Sequence, residues 1–223
     1  MGRTRQLAAG GRAVEVEPER LAGFLDRFAA GHGGIMNTTV EPRRVNVAAV
    51  DGWAAAMSVP FGPLVTPAGH RDGLAVEDLI NHLMMPRTIG LLLVRLGGYS
   101  AGIARAGMVL TSSTGSRLVH GRSAAGGQSQ RRFARRREGQ ARVALRAAAD
   151  TAARVLLPQI AELDAVVLGG DTAALRTLAT DPRLAPVLTR AEPRILDIPE
   201  PRRAVLDQAA RRARCVEVQL IPR

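Results

Sequence analysis

Lysine is missing from this 223-residue chain, so all 31 of its basic residues are arginine. Acidic residues number only 20, which leaves a formal charge of +11 and a pI near 11.5. An arginine excess of that size points to a polyanionic partner, and the planar, permanently charged guanidinium suits phosphate. Aromatics make up 3% of the residues, with Trp53 and Tyr99 alone of their kinds. That scarcity argues against a reader of splayed single-stranded bases, which needs ring surfaces for stacking. Nucleic acid is therefore expected to be held by its backbone and shape. Cys215 is the one cysteine, which excludes an internal disulfide and a cysteine zinc site and fits a reducing cytoplasm. The longest apolar run, Ile89–Val94, is far below the roughly 20 residues of a membrane-crossing helix. The polar opening stretch lacks the apolar segment of a signal peptide, so no membrane association is expected. A hydrophobic content of 46% at this length is ample for a buried core.

Periodicity and turn chemistry sort the chain into a flexible tail (1–11), an N-terminal α+β subdomain (12–87) and a second domain (88–223). Arg12–Val16 alternates as a short strand. Pro18 opens a helix with Leu21, Phe24, Leu25 and Phe28 on one face, and Gly31–Gly34 ends it. Asp51-Gly52, between Val45–Ala49 and Trp53–Val59, signals a hairpin. Phe61–Asp72 is expected as a loop, and Val76–Met84 as a helix closed by Pro86. From Thr88 onward, Ile89–Leu96, Tyr99–Thr111 and Arg117–Gly121 are expected as three antiparallel strands turning at Gly97-Gly98 and at Ser112–Ser116. A long helix over Gln130–Leu157 follows, then a strand at Asp164–Leu168 and a helix at Thr172–Ala179. The chain closes with a strand at Arg194–Ile198, a helix at Pro201–Arg214 and a strand at Cys215–Ile221. Three antiparallel strands and then alternating helix and strand is the element order of a ribonuclease-H-like mixed α/β sheet.

The chemistry concentrates in residues 122–140, RSAAGGQSQRRFARRREGQ. At about 100° per residue, Arg131, Arg135, Arg142 and Arg146 fall on one side of the long helix, with Arg132 and Arg136 adjoining. Phe133, Ala141, Ala144, Ala148, Ala152 and Val155 fall on the other. Residues 117–146 hold nine arginines against Glu138 alone, a charge of +8. Arginines in a first helical turn oppose the helix dipole by about 0.3–1 kcal/mol each, a cost that an external anion would offset. Ahead of the stripe, Gly126-Gly127 lets backbone approach another molecule without a Cβ clash. Gln128 follows with an amide that both donates and accepts. The candidate RNA-binding residues are Arg122, Arg131, Arg132, Arg135, Arg136, Arg142 and Arg146. The candidate reactive site is Gly126, Gly127, Gln128 and Gln130.

Gly126–Arg137, GGQSQRRFARRR, resembles the tip-and-helix segment of class 1 translation release factors of the eukaryotic and archaeal kind. In those factors GGQ, followed by Ser and an RFAR helix, sits on a middle domain that triggers hydrolysis of peptidyl-tRNA. GGQ alone is a weak signal. Joined to an RFARxR helix after three antiparallel strands, it is specific. At 223 residues no room is expected for a stop-codon-reading domain or a partner-binding domain. The chain therefore looks more like the stand-alone VMS-like release factors of ribosome quality control, including their compact bacterial branch. That resemblance implies a codon-independent peptidyl-tRNA hydrolase working on stalled ribosomes or split large subunits. Its partners would be the large subunit, ribosomal RNA and peptidyl-tRNA, with no cofactor and no metal. Some of these factors carry the glutamine further from the glycines, which keeps Gln130 beside Gln128, although the intact GGQS spelling favours Gln128. The likeness covers residues 88–223 well and 12–87 only loosely.

Two other readings stay open from the residues. A ribonuclease-H-type nuclease would share the sheet but needs clustered carboxylates for Mg²⁺. Ile89–Leu96 has none, and only Asp171 and Asp197 lie near later strand ends. A non-catalytic ribosome- or RNA-binding module would use the glycines only as a connector. The histidines His32, His70, His82 and His120 show no metal-ligand spacing. Ser129 is expected as a helix cap, Cys215 as a small core residue and Trp53 as the hairpin's anchor. Arg95 and Arg105 either extend an RNA surface or are solvated.

Overall fold

The structure, a computed structural model, describes residues 4–8, 10–95, 97–116 and 128–222, and of residues 128–138 the backbone alone. The chain divides into two compact units, residues 1–86 with 214–223, and residues 87–213.

The first unit runs β1 (Thr4–Gln6), β2 (Arg12–Val16), α1 (Pro18–Gly31), β3 (Ile35–Glu41), β4 (Arg44–Ala49), β5 (Trp53–Ser58), β6 (Gly69–Asp72) and α2 (Glu77–Met84). Helix α1 starts with proline in its first turn, where the missing N–H costs nothing, and buries Leu21, Leu25 and Phe28 at helical spacing. Gly33 and Gly34, both at positive φ, turn the chain out of it. β4 and β5 form the hairpin around Asp51-Gly52, with Val45 opposite Met57 and Val47 opposite Ala55. Gly52 takes φ 91°, and the Trp53 N–H donates to Asp51 Oδ1 at 3.0 Å. Val40 of β3 and the alternating Val45 and Val47 of β4 meet Leu21 and Leu25 of α1 and Leu79 and Leu83 of α2 in one core. Two expectations differ. The supposed tail contains β1, which pairs antiparallel with β2. The supposed loop Phe61–Asp72 ends in β6, which pairs with β3. Both strands are short and polar, so they lack the alternation that marks a half-buried strand, and distant partners supply their hydrogen bonds.

The second unit runs β7 (Thr88–Arg95), β8 (Gly98–Arg105), β9 (Met108–Ser116), α3 (Gln128–Leu156), a 3-10 stretch at Leu157–Glu162, β10 (Ala165–Gly170), α4 (Thr172–Leu178), α5 (Ala185–Thr189), β11 (Ala191–Leu196) and α6 (Arg203–Ala213). Its sheet has the order β11-β10-β7-β8-β9. β7, β8 and β9 are antiparallel, and β10 and β11 run parallel to β7. This is the ribonuclease-H-like arrangement. The turn after β8 lies at Ala106-Gly107, with φ 51° and 83°, and Arg105 pairs with Met108 across it. Ser112–Ser116, expected as that turn, is instead the second half of β9. The misreading has a clear cause. Two positive φ angles make the tight hairpin turn, which Ala-Gly signals weakly. A serine-threonine run also resembles a turn unless a sheet edge lets its hydroxyls reach solvent. The strand expected at Arg117–Gly121 lies outside the described residues, as does His120.

The last strand, β12 (Val216–Pro222), was expected to close the second domain. It pairs instead with β2 on one side and β5 on the other. The first unit's sheet is thereby β1-β2-β12-β5-β4-β3-β6, so the expected domain 88–223 loses its final residues to that unit. Val216, Val218 and Leu220 alternate into the core. Alternation announces a strand but does not name its neighbour.

Candidate nucleic-acid interface

Helix α3 runs through Gly139 into an uninterrupted helix-forming stretch. From Ala141 to Leu157 the chain carries no glycine or proline and seven alanines, the strongest helix former. Its inner face buries Ala144, Ala148, Ala149, Ala152 and Leu156. Ala148, Ala149, Ala152 and Leu156 pack with Leu92, Tyr99, Ala101 and Ile103 of the sheet. An alanine face lets the helix axis sit close to the strands, and Ala141 and Val155 lie half-buried at its margins. The opposite arc exposes Arg142, Val143, Arg146, Asp150 and Arg154.

The acid in that arc is already engaged. Asp150 accepts from Arg183 Nη1 at 2.8 Å, while Arg183 Nη2 holds Asp181 Oδ2 at 2.7 Å. Hydrogen bonds to Arg183, first among the causes, hold the Asp181 carboxyl below the usual carboxylate range. Asp181 and Asp150 in turn raise the pKa of the Arg183 guanidinium. Arg142 and Arg146 are exposed, and among the described residues neither forms an ion pair. Arg154 lies one further step along the arc and donates from Nη2 to Ser113 Oγ on β9 at 3.0 Å. The arginine stripe thus runs past Arg146, where helical spacing from the sequence had placed its end. The same helical angle would have brought in Arg154.

Gly126, Gly127 and Arg122 lie outside the described residues. Gln128 and Gln130 are the first and third residues of α3. Their side chains, and those of Arg131, Arg132, Arg135 and Arg136, are also outside the described residues. Ser129 is the second helical residue of α3 rather than one flanking it, so the expected capping role is not kept.

Arg95, for which the sequence offers RNA contact or solvation, is a structural tie. It donates to Asp197 Oδ1 at 2.9 Å and to the Ile198 carbonyl at 2.7 Å, fastening the end of β7 to the segment after β11. Asp171 caps α4, accepting from the Ala173 and Ala174 N–H groups at 2.8 and 3.3 Å. Both carboxylates that a nuclease would need are thus occupied in holding the fold. Among the described residues no three His, Cys, Asp or Glu side chains converge as metal ligands, and no helix is long and apolar enough to cross a membrane.

Residues 87–219 match the family described as the Actinobacteria/chloroflexi VLRF1 release factor. The chain belongs to that family. The match takes in the whole ribonuclease-H-like unit and reaches into β12, and membership places the chain among translation release factors. No curated protein matches the sequence. Among solved structures, the archaeal translation termination factor aRF1 is 11% identical at a TM-score of 0.38, covering 82% of this chain and 66% of that one. A structure described as an archaeal protein gives 11% and 0.38, covering 87% and 69%. Pelota from Archaeoglobus fulgidus gives 12% and 0.28, covering 94% and 64%. The chain spans 66% of the length of the archaeal termination factor. At these TM-scores the three likenesses add nothing to the family match.

Proposed function

We propose that the chain is a codon-independent peptidyl-tRNA hydrolase, acting in the cytoplasm on nascent chains left on stalled ribosomes or split large subunits. The observation that carries this reading is a junction. In a chain of a release-factor family, Gly126-Gly127-Gln128 runs directly into the first turn of a helix that exposes arginines and is seated on the sheet by its alanines. Hydrolysis of the ester needs a water aimed at the carbonyl carbon and donors for the oxyanion. Ordered placement of reactants is worth about 7–11 kcal/mol, and one oxyanion donor about 3–4 kcal/mol. Gln128 cannot act as a base, but its backbone N–H and side-chain amide position water and donate to the oxyanion or the leaving 3′ oxygen. Gly126 and Gly127 leave room for that approach. Arg122, Arg131, Arg132, Arg135, Arg136, Arg142 and Arg146 hold ribosomal RNA or the tRNA acceptor stem by phosphate contacts. Each such contact adds about 0.7–0.9 to the salt slope of binding. Ribosomal RNA and tRNA supply the remaining chemistry, so the isolated protein is a poor esterase.

The test is peptide release from purified large subunits carrying peptidyl-tRNA. Gln128→Ala should cut the release rate by about 10²–10³-fold, the cost of one lost oxyanion donor, while subunit binding persists. Gln130→Ala should retain most activity. Release that survives loss of both glutamines sinks the catalytic reading and leaves an RNA-binding module.

A further inference from the structure

β9 is the last strand of its sheet and, among the described residues, pairs only with β8. Five of its last six residues carry a hydroxyl: Thr111, Ser112, Ser113, Thr114 and Ser116. They are shared between the two faces. Thr111 and Ser113 stand opposite Ile103 and Ala101, whose side chains pack in the α3 core. Ser112 stands opposite Gly102, which faces Leu206 of α6. An arginine reaches the strand from each side. Arg154 of α3 donates to Ser113 Oγ at 3.0 Å, and Arg203 of α6 donates from Nη1 to Ser112 Oγ at 3.0 Å while its Nε holds Asp207.

The geometry points to this edge of β9 as a phosphate-holding margin for structured RNA, continuous with the arginine arc of α3. Three observations favour that occupant. An outer strand edge presents unpaired N–H groups, and hydroxyls and guanidinium groups add further donors, a set suited to phosphate oxygens. From Leu79 to Arg137 the chain has no acidic residue, so β7, β8 and β9 bring no repulsion of their own. Arg142, Arg146 and Arg154 span about 120° of arc and about 18 Å of helix axis, and Arg154 joins that arc to the strand. A peptide adding as a further strand would want alternating side-chain pockets. The start of β9 exposes the apolar Met108 and Leu110, whereas residues 111–116, the half proposed here, carry hydroxyls on both faces. The position has a use as well. β9 ends at Ser116 and α3 begins at Gln128, so the two elements that flank the glycine segment would both grip RNA and set its register. The inference rests on the proposed release function for the source of the RNA, but not for the phosphate chemistry.

Thr111→Glu and Ser116→Glu place a negative charge on exposed positions of the edge, and Arg154→Ala removes the joining charge. Val65→Glu, at a residue 97% exposed in the first unit, adds the same charge elsewhere. Binding of each purified full-length variant to a 20-base-pair RNA duplex is measured across a salt series, with thermal unfolding as the check on folding. The edge variants should bind several-fold more weakly than wild type and lower the salt slope by about 1, with Val65→Glu unchanged. Edge variants that bind like Val65→Glu overturn the inference and leave the edge to a protein strand or to solvent. Duplex binding is read apart from peptide release. Edge variants with normal binding and normal release sink the edge alone, whereas a wild type that binds through the edge but releases no peptide sinks only the release reading.

Discussion

Ending the chain at Ala213 removes β12 and, by the pairing described above, should unfold the first unit while sparing the second. Val216 and Val218 are fully buried and Leu220 is 4% exposed. At about 1.5–3 kcal/mol for each buried side chain, the deletion removes about 4.5–9 kcal/mol of apolar burial from the first core. It also breaks the sheet in its interior, because β12 lies between β2 and β5, and so strips β1 and β2 from the rest. The Arg214–Glu19 ion pair at 2.6 Å goes too, but such a surface contact contributes only about 0–1 kcal/mol. A whole domain typically holds about 5–15 kcal/mol, so the loss is comparable with the total. Limited proteolysis read by mass spectrometry, with amide exchange alongside, would show residues 87–213 protected and residues 1–86 digested. If residues 12–86 keep their protection in the truncated chain, β12 is not an interior strand on which that sheet depends and the reasoning fails.

Other expectations follow from the same contacts. Ala152→Leu forces a larger side chain into the fully buried face of α3 and should cost about 1–3 kcal/mol, seen as a lowered unfolding temperature. Asp51 accepts the Trp53 N–H and pairs with His32 Nδ1 at 2.8 Å, and these contacts, the backbone N–H first, hold its carboxyl below the usual range. A depressed carboxyl contributes stability above its unfolded value of about 3.9, and that stability is lost as pH falls through the lower folded value. Asp51→Ala should therefore unfold more easily than wild type at pH 7, and the gap should close at acid pH below the usual carboxylate range. Paired thermal melts across pH check the sign. Gln128→Ala, assayed as above, should separate release from binding.

The parts legible in the sequence are those where neighbours along the chain decide. Leu21, Leu25 and Phe28 recur on one helical face, Asp51-Gly52 punctuates a hairpin, and the alanines of α3 sit opposite its arginines. The order of elements from Thr88 was enough to anticipate the sheet. At the candidate site, Arg142 and Arg146 stand on the exposed side that helical angles assigned to them. Arg154 and Arg203 escaped notice because their relevance comes from Ser113 and Ser112, which reach them only across packed elements. Ser112–Ser116 was misjudged because hydroxyl residues suit both turns and solvent-facing strands, and the choice depends on the partner strand.

Charge, periodicity and the Gly-Gly-Gln junction belong to the sequence by itself, since each is set by residue type and spacing within a few turns of chain. Strand partnership belonged to the tertiary structure. Val218 of β12 finds Val14 of β2 about 200 residues away, and backbone hydrogen bonds carry no residue label that would announce such a match beforehand. Only the joint burial of both strands against one core selects it.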